Sequence, residues 1–189
     1  MQLSFLRFQG APFLLCSSHV GLGAEMDAKE ATELSREIRD HFRLTGFHWM
    51  SPIYYRELDK ESNTKPYMFM FTGKSCEDCR NILAEFKQEH PAFLNSISSQ
   101  FNAILVLDDF NVMFGSEYAP GGHSYIPRVI FADPDGTIRT DMRNPRSVLA
   151  DDWYHYGSAR EVLWGMLAAL KEYNAEQEPY PSDLDSDLP

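Results

Sequence analysis

Cysteine is scarce in this chain, which has Cys16, Cys76 and Cys79 among its 189 residues. A fold held together by many disulfides is therefore excluded, and any thiol chemistry is confined to a few positions. Basic residues are also in the minority, because 17 Lys and Arg stand against 28 Asp and Glu and the formal net charge is −11. That sign opposes binding to phosphate backbones or anionic lipid, so we expect no nucleic-acid partner.

Long apolar runs are missing as well. No stretch of about 18 consecutive apolar residues occurs, so we expect no membrane span. The composition, 43% hydrophobic and 13% aromatic, is nevertheless typical of a packed globular domain. The length suits one domain of roughly 150 residues with shorter terminal segments.

Residues 1–24 have the outline of a secretory signal peptide, with an apolar patch over 11–16 and small residues up to Ala24. An arginine and a proline interrupt the apolar part, and the alternative is a disordered N-terminus. Cleavage near Ala24 would remove Cys16. The mature chain would then contain two cysteines only.

Apolar spacing predicts helices and strands in alternation along the first half of the chain. An amphipathic helix is predicted over residues 26–44 and a second helical stretch over 52–61. The short apolar runs 66–72 and 101–107 are typical of buried strands. A helix is predicted between them over 79–88, and such a crossover makes the two strands parallel.

The second half begins with two strand-like runs, 125–132 and 137–140, joined by the turn sequence Asp-Pro-Asp-Gly. Ser158, with Glu161 three residues later, is a capping-box signal for a last helix. The segment 176–189 is rich in acids and prolines and has no base, which predicts a disordered tail. Mixed helices and strands of this kind indicate an α/β domain.

The motif that carries chemistry is Cys76-Glu77-Asp78-Cys79, placed where a buried strand turns into a helix. At a helix N-terminus the unpaired N–H groups and the helix dipole favour a thiolate, and the second cysteine lies close enough to form a disulfide. The alternatives are half of a zinc site or two inert buried thiols. Zinc requires four ligands, and the chain has no second cysteine pair and no suitably spaced histidine pair. We therefore favour redox chemistry and expect no metal.

A second feature is Ile126-Pro127. Proline lacks the N–H that a strand needs, so we expect Pro127 at the start of a strand, with a cis peptide bond before it. The alternative is a trans proline on an edge strand. The aromatic residues 153–156 are expected to pack onto the core, and the adjacent acids Asp108 and Asp109 to lie on the solvated surface or at a helix start.

The order of these elements resembles the thioredoxin fold. More narrowly, the segments 46–49, Lys74-Ser75 and 117–136 are similar to those of the small endoplasmic-reticulum family of thioredoxin domain-containing protein 12 and the anterior gradient proteins. The resemblance implies a thioredoxin-like domain over residues 46–175, with a central mixed sheet, helices on both faces and an extra N-terminal helix.

The resemblance also implies roles for particular residues. Cys76 would be the nucleophile and Cys79 the resolving thiol, while Pro127 would be the cis-proline, with Tyr125 and Ile126 offering backbone to an extended substrate. The implied activity is that of a protein-disulfide reductase or isomerase acting on client proteins that carry disulfides or thiols. No bound cofactor is expected, and glutathione is the expected redox partner. The alternative is a weakly active or non-catalytic, chaperone-like protein that binds clients in the same groove.

Charged neighbours are expected to tune the first cysteine. Glu77 and Asp78 disfavour a thiolate and should leave the pKa of Cys76 less depressed than in a strong oxidase, while Lys74 and Arg80 partly offset them. A comparatively reducing or slow dithiol is the prediction. The final residues, Asp-Ser-Asp-Leu-Pro, do not form a retrieval tetrapeptide, so the expected location is the endoplasmic-reticulum lumen or the extracellular space.

Overall fold

The computed structural model describes residues 36, 40, 47–149 and 152–177. The predicted signal peptide 1–24 lies outside these residues, as does the predicted tail beyond residue 177. Of the predicted helix 26–44, only Arg36 and Asp40 are described, and both are helical.

Four strands form one mixed sheet in the order β1-β3-β2-β4. Strands β1 and β2 are both parallel to β3, as predicted for β2, and β4 is antiparallel to β2. Every residue of β2 and β4 is buried, and such uniform burial explains why β2 reads as a continuous apolar run. The bounds are Trp49–Met50 for β1, Tyr67–Phe71 for β2, Asn102–Val106 for β3 and Arg128–Ala132 for β4.

Within residues 47–149 and 152–177, four α-helices pack around this sheet: α1 (Pro52–Glu57), α2 (Glu77–Glu85), α3 (Pro91–Ser98) and α4 (Ala159–Gln177). Helix α1 ends four residues before its predicted end, and α2 continues as a 3₁₀ turn over Phe86–Gln88. Helix α3 was not predicted. Its start carries a recognisable signal, because proline occupies the first turn and the His90 side chain caps the N–H of Ala92 at 3.3 Å.

Alternate residues of β2 serve two separate cores, as the two-residue period of a strand requires. Met68 and Met70 pack with apolar side chains of α2, α3 and α4 on one face. Tyr67, Phe69 and Phe71 pack on the other face, against α1 and the 3₁₀ segments that follow β3. Both faces of the sheet are therefore covered. Along the chain, β2 is followed by a helical crossover, then by β3 and by the antiparallel β4. This arrangement is the predicted thioredoxin-like α/β fold.

Two strand predictions differ from the structure. Strand β4 begins at Arg128 instead of residue 125, because the preceding Pro127 cannot donate to the ladder and follows a cis bond. The predicted strand 137–140 is reduced to one bridge between Ala132 and Ile138. The turn that joins the two segments is present, with Gly136 at a φ of +90°.

The start of α4 confirms the predicted cap, since the N–H of Glu161 donates to the Ser158 hydroxyl at 3.2 Å. The Glu161 carboxylate, however, accepts the N–H of Gly157 at 2.8 Å and the Asn144 amide at 3.2 Å. It thereby ties the loop before α4 to the helix. Tyr154 and Tyr156 in that loop are buried, as predicted for the aromatic segment.

The far end of α4 extends past residue 175, where the predicted domain ended. Glu176 is helical, and its carboxylate pairs with the Arg139 guanidinium at 2.8 Å. The same guanidinium also contacts Asp133 and Asp141. The end of α4 is therefore fastened to the turn segment that follows β4.

Candidate active site

The cysteine pair lies at the start of α2, where Cys76 and Cys79 form a disulfide. Cys76 is the N-cap residue of the helix, and its sulfur accepts the N–H of Cys79 at 3.1 Å. This contact is the local N–H stabilisation that a thiolate at a helix N-terminus requires. Cys79 is fully buried, whereas Cys76 is partly exposed. Only Cys76 is therefore open to a molecule arriving from solvent.

The loop before the cysteines is held from two directions. The backbone N–H of Lys74 donates to Asp108 Oδ2 at 3.1 Å, and the Lys74 ammonium contacts Asp109 Oδ2 at the same distance. From the other side, the Arg80 guanidinium donates to the Lys74 carbonyl at 2.8 Å. The loop conformation therefore depends on side chains of α2 and of the segment after β3.

These contacts change the interpretation of the charges. Lys74 and Arg80 were predicted to act on Cys76 as cations, yet each also fastens the loop, and the Lys74 charge is paired with Asp109. Asp108 and Asp109 are exposed in the first turn of the 3₁₀ segment Asp108–Met113, as predicted for the surface or a helix start. Their contacts with the cysteine loop were not predicted. The signal was their position directly after β3, because the ends of parallel neighbouring strands meet at one edge of a sheet.

The two acids between the cysteines, Glu77 and Asp78, are exposed in the first turn of α2. Carboxylates there interact favourably with the helix dipole, but they compete with a thiolate for the same positive end. Because both acids are in solvent, salt screens their effect on the cysteines.

The Ile126–Pro127 peptide bond is cis, which confirms the prediction. Pro127 is buried immediately before β4, and the pairing of Arg128 with Phe71 sets the start of β4 against the end of β2. The loop before the cysteines packs directly on this turn. A Cβ added at Gly73 would lie 2.6 Å from the Ile126 side chain, so glycine is needed for the close approach.

Tyr125, predicted to offer backbone to a substrate, is engaged within the protein. Its carbonyl accepts from the Arg128 guanidinium at 3.0 Å, and its hydroxyl accepts the N–H of Tyr154 at 3.2 Å. Burial raises the pKa of Tyr125. In the described part of the chain the backbone of Ile126 has no hydrogen-bonding partner. Of the two residues, Ile126 is therefore the one whose backbone carbonyl is unbonded among the described residues.

Arg128 is a residue of the site that sequence reasoning missed. It is 4% exposed, and its guanidinium donates to the carbonyls of Tyr118, Ser124 and Tyr125 at 3.0 to 3.2 Å. Its centre lies 3.8 Å from the ring centroid of Phe71. Burial lowers the pKa of Arg128 to about 10, which leaves it cationic at neutral pH.

A separate groove of about 830 Å³ lies along the turn that follows β4. Pro120, His123, Ile138 and Trp153 are among its lining residues, and neither cysteine is. Within the described ranges, no three His, Cys, Asp or Glu side chains are grouped so that they could hold a metal ion. No helix in those ranges is long and apolar enough to cross a membrane.

No protein-family model matches the chain. Among solved structures, the chain is similar to a disulphide isomerase from Xylella fastidiosa Temecula1, with 13% sequence identity and a TM-score of 0.34. The match covers 82% of this chain and 99% of that one. The assignment of the fold rests on the strand order and connections of the sheet.

Proposed function

We propose that the protein is a thiol–disulfide oxidoreductase that acts on protein disulfides, of the reductase or isomerase type. The observation that carries this proposal is the Cys76–Cys79 disulfide at the N-terminus of α2, with the loop before it packed on the turn that contains cis Pro127. In such an enzyme, the partly exposed sulfur of Cys76 would attack the client disulfide, and the buried sulfur of Cys79 would release the client.

The reaction starts from the reduced pair. The Cys76 thiolate attacks one sulfur of a client disulfide, so that a mixed disulfide forms and the other client sulfur leaves as a thiolate and takes up a proton. The Cys79 thiolate then attacks the Cys76 sulfur. The second client sulfur leaves in the same way, and the Cys76–Cys79 disulfide closes. Two electrons have passed to the client.

The client is proposed to bind as an extended strand beside the cis-proline turn. An extended peptide can add its backbone hydrogen bonds to those of an unpaired backbone segment, and the peptide groups of Ile126 are suited to this. The loop at Gly73 lies against the Ile126 side chain, which brings this segment close to the cysteine loop.

Regeneration of the dithiol is proposed to use glutathione. One glutathione thiolate attacks the Cys76 sulfur of the disulfide, so that a mixed disulfide forms and Cys79 leaves as a thiolate. A second glutathione thiolate attacks the glutathione sulfur of the mixed disulfide, which releases oxidised glutathione and the Cys76 thiolate. The proposed location is the endoplasmic-reticulum lumen or the extracellular space. The signal-like composition of residues 1–24 and the resemblance to the family of thioredoxin domain-containing protein 12 support it.

Reduction of insulin by glutathione tests the proposal, with wild type, Cys76→Ser and Cys79→Ser compared. Wild type should accelerate the reduction, Cys76→Ser should abolish the effect, and Cys79→Ser should accumulate a mixed disulfide that is visible on a non-reducing gel. Equal, negligible activity in wild type and Cys76→Ser would overturn the proposal. Client binding by a non-catalytic, chaperone-like protein would then be the better description.

A further inference from the structure

We infer that Arg128 is a positioning residue for client proteins, because it holds the backbone turn that presents Ile126. The inference rests on the proposed function and adds a determinant of substrate size to it. Arg128 is expected to affect the reduction of protein disulfides strongly. It should have little effect on small disulfides, because these make fewer contacts with the turn.

The Arg128 guanidinium is a charge buried at a cost in free energy. Removing a guanidinium from water is unfavourable unless it is well paired. In the described ranges no carboxylate pairs with Arg128. Three backbone carbonyls and the face of Phe71 surround it instead. Charge-assisted hydrogen bonds and a cation–π contact offset the desolvation of this guanidinium.

The three carbonyls bonded to Arg128 lie on both sides of the stretch that leads into the cis-proline turn. Two belong to Ser124 and Tyr125, directly before the Ile126–Pro127 cis bond. The third belongs to Tyr118, in the 3₁₀ segment Ser116–Tyr118. Arg128 therefore fixes both ends of the stretch that leads into the turn. The position of the Ile126 backbone follows from these bonds.

Arg128 also contacts the strand that precedes the cysteines. Phe71, on which the guanidinium stacks, is the last residue of β2, the strand that leads into the cysteine loop. One side chain thus connects that strand with the turn at Ile126. Lysine could not replace it, because Nε and Nη1 donate to different carbonyls and a single ammonium cannot take both positions or stack flat on a ring.

The experiment compares Arg128→Lys with wild type in two reactions: the reduction of insulin with glutathione as the electron donor, and the single-turnover oxidation of the pre-reduced protein by oxidised glutathione. Arg146→Lys is the matched control, since Arg146 also stacks on an aromatic ring, 4.7 Å from the centroid of Trp164, and has no contact with the turn. For Arg128→Lys, kcat/KM on insulin should fall about tenfold or more, mainly through KM. The rate constant for oxidation of the reduced protein by oxidised glutathione, and the equilibrium constant of the cysteine pair with glutathione, should each stay within about twofold of wild type.

The outcomes separate the two proposals. If wild type fails to reduce insulin, the proposed function is wrong, and this inference is wrong as well. If wild type is active and Arg128→Lys has the same kcat/KM on insulin, this inference alone is wrong. It is also wrong if Arg128→Lys loses activity equally on insulin and on oxidised glutathione. If Arg128→Lys does not unfold cooperatively, Phe71→Leu replaces it. That variant keeps the arginine and removes its stacking face, and an unchanged KM for insulin would overturn the inference.

Discussion

The Asp108 carboxylate accepts the backbone N–H of Lys74 at 3.1 Å, across 34 positions of sequence. It joins the segment after β3 to the loop after β2, directly before Cys76. The same carboxylate lies beside Gly73, where an added Cβ would come within 2.6 Å of it. The geometry of the cysteine loop therefore depends on a side chain that contributes no sulfur chemistry.

Replacing Asp108 with alanine should destabilise the oxidised protein by about 1 kcal/mol, the usual net value of one hydrogen bond. Asp108→Asn keeps an acceptor oxygen and should lose less stability than Asp108→Ala. Urea unfolding monitored by tryptophan fluorescence measures both. Glu172→Ala, at an exposed position of α4, is the control and should stay close to wild type. Equal stability of Asp108→Ala and wild type would show that the contact is not formed in solution.

A substitution at Gly73 tests the contact between the cysteine loop and the cis-proline turn. Alanine there would place its Cβ 2.6 Å from both Asp108 Oδ2 and the Ile126 side chain, and relieving such overpacking costs about 1 to 3 kcal/mol. Thermal unfolding of Gly73→Ala should show a lower midpoint than wild type. Gly157→Ala is the matched control, because its Cβ would meet only Glu161, at an ordinary 3.7 Å. A Gly73→Ala variant as stable as Gly157→Ala would contradict the close approach.

Local signals in the sequence were sufficient for β2 and for the start of α4. The first is an apolar run between Pro66 and Gly73, and the second is a serine cap at Ser158. The strand predicted at 137–140 failed because sequence cannot show how far two segments stay paired after a turn. The Ala132–Ile138 bridge is where that pairing stops.

Contacts between distant segments could not be predicted from the sequence. Asp108 and Asp109 are hydrophilic and adjacent, as surface residues commonly are, and only the sheet order brings them to Lys74. Arg128 stands in an apolar run whose other members are core residues. Nothing local distinguishes a buried arginine bonded to carbonyls from one that reaches solvent at a strand end.

The acids between the cysteines provide a further test. Glu77→Gln with Asp78→Asn removes two negative charges beside the thiolate of the reduced form, which stabilises that form. The reduction potential should rise by about 10 to 30 mV, where about 30 mV corresponds to about 1.4 kcal/mol for two electrons. Equilibration with glutathione at two salt concentrations measures it, and high salt should shrink the shift because both acids are exposed. An unchanged potential would show that these acids do not tune the pair.

Tyr67, at the start of β2, offers a test of the core on one face of the sheet. Its hydroxyl is buried with no hydrogen-bonding partner among the described residues, and burial raises its pKa to about 12. Tyr67→Phe should therefore be neutral or stabilising by up to about 1 kcal/mol at pH 7.

The same residue predicts a dependence on alkaline pH. Because the unfolded chain releases the Tyr67 proton near pH 10 and the folded chain only near 12, stability falls with rising pH between these values. Tyr67→Phe should lose less stability over that range, as measured by urea unfolding at pH 8 and about pH 10.5. Tyr55→Phe is the matched control: it breaks the 3.0 Å bond to the Tyr118 hydroxyl and should cost about 1 kcal/mol at neutral pH. If the two variants lost equal stability at pH 7, the Tyr67 hydroxyl would have a hydrogen-bonding partner in solution, contrary to the prediction.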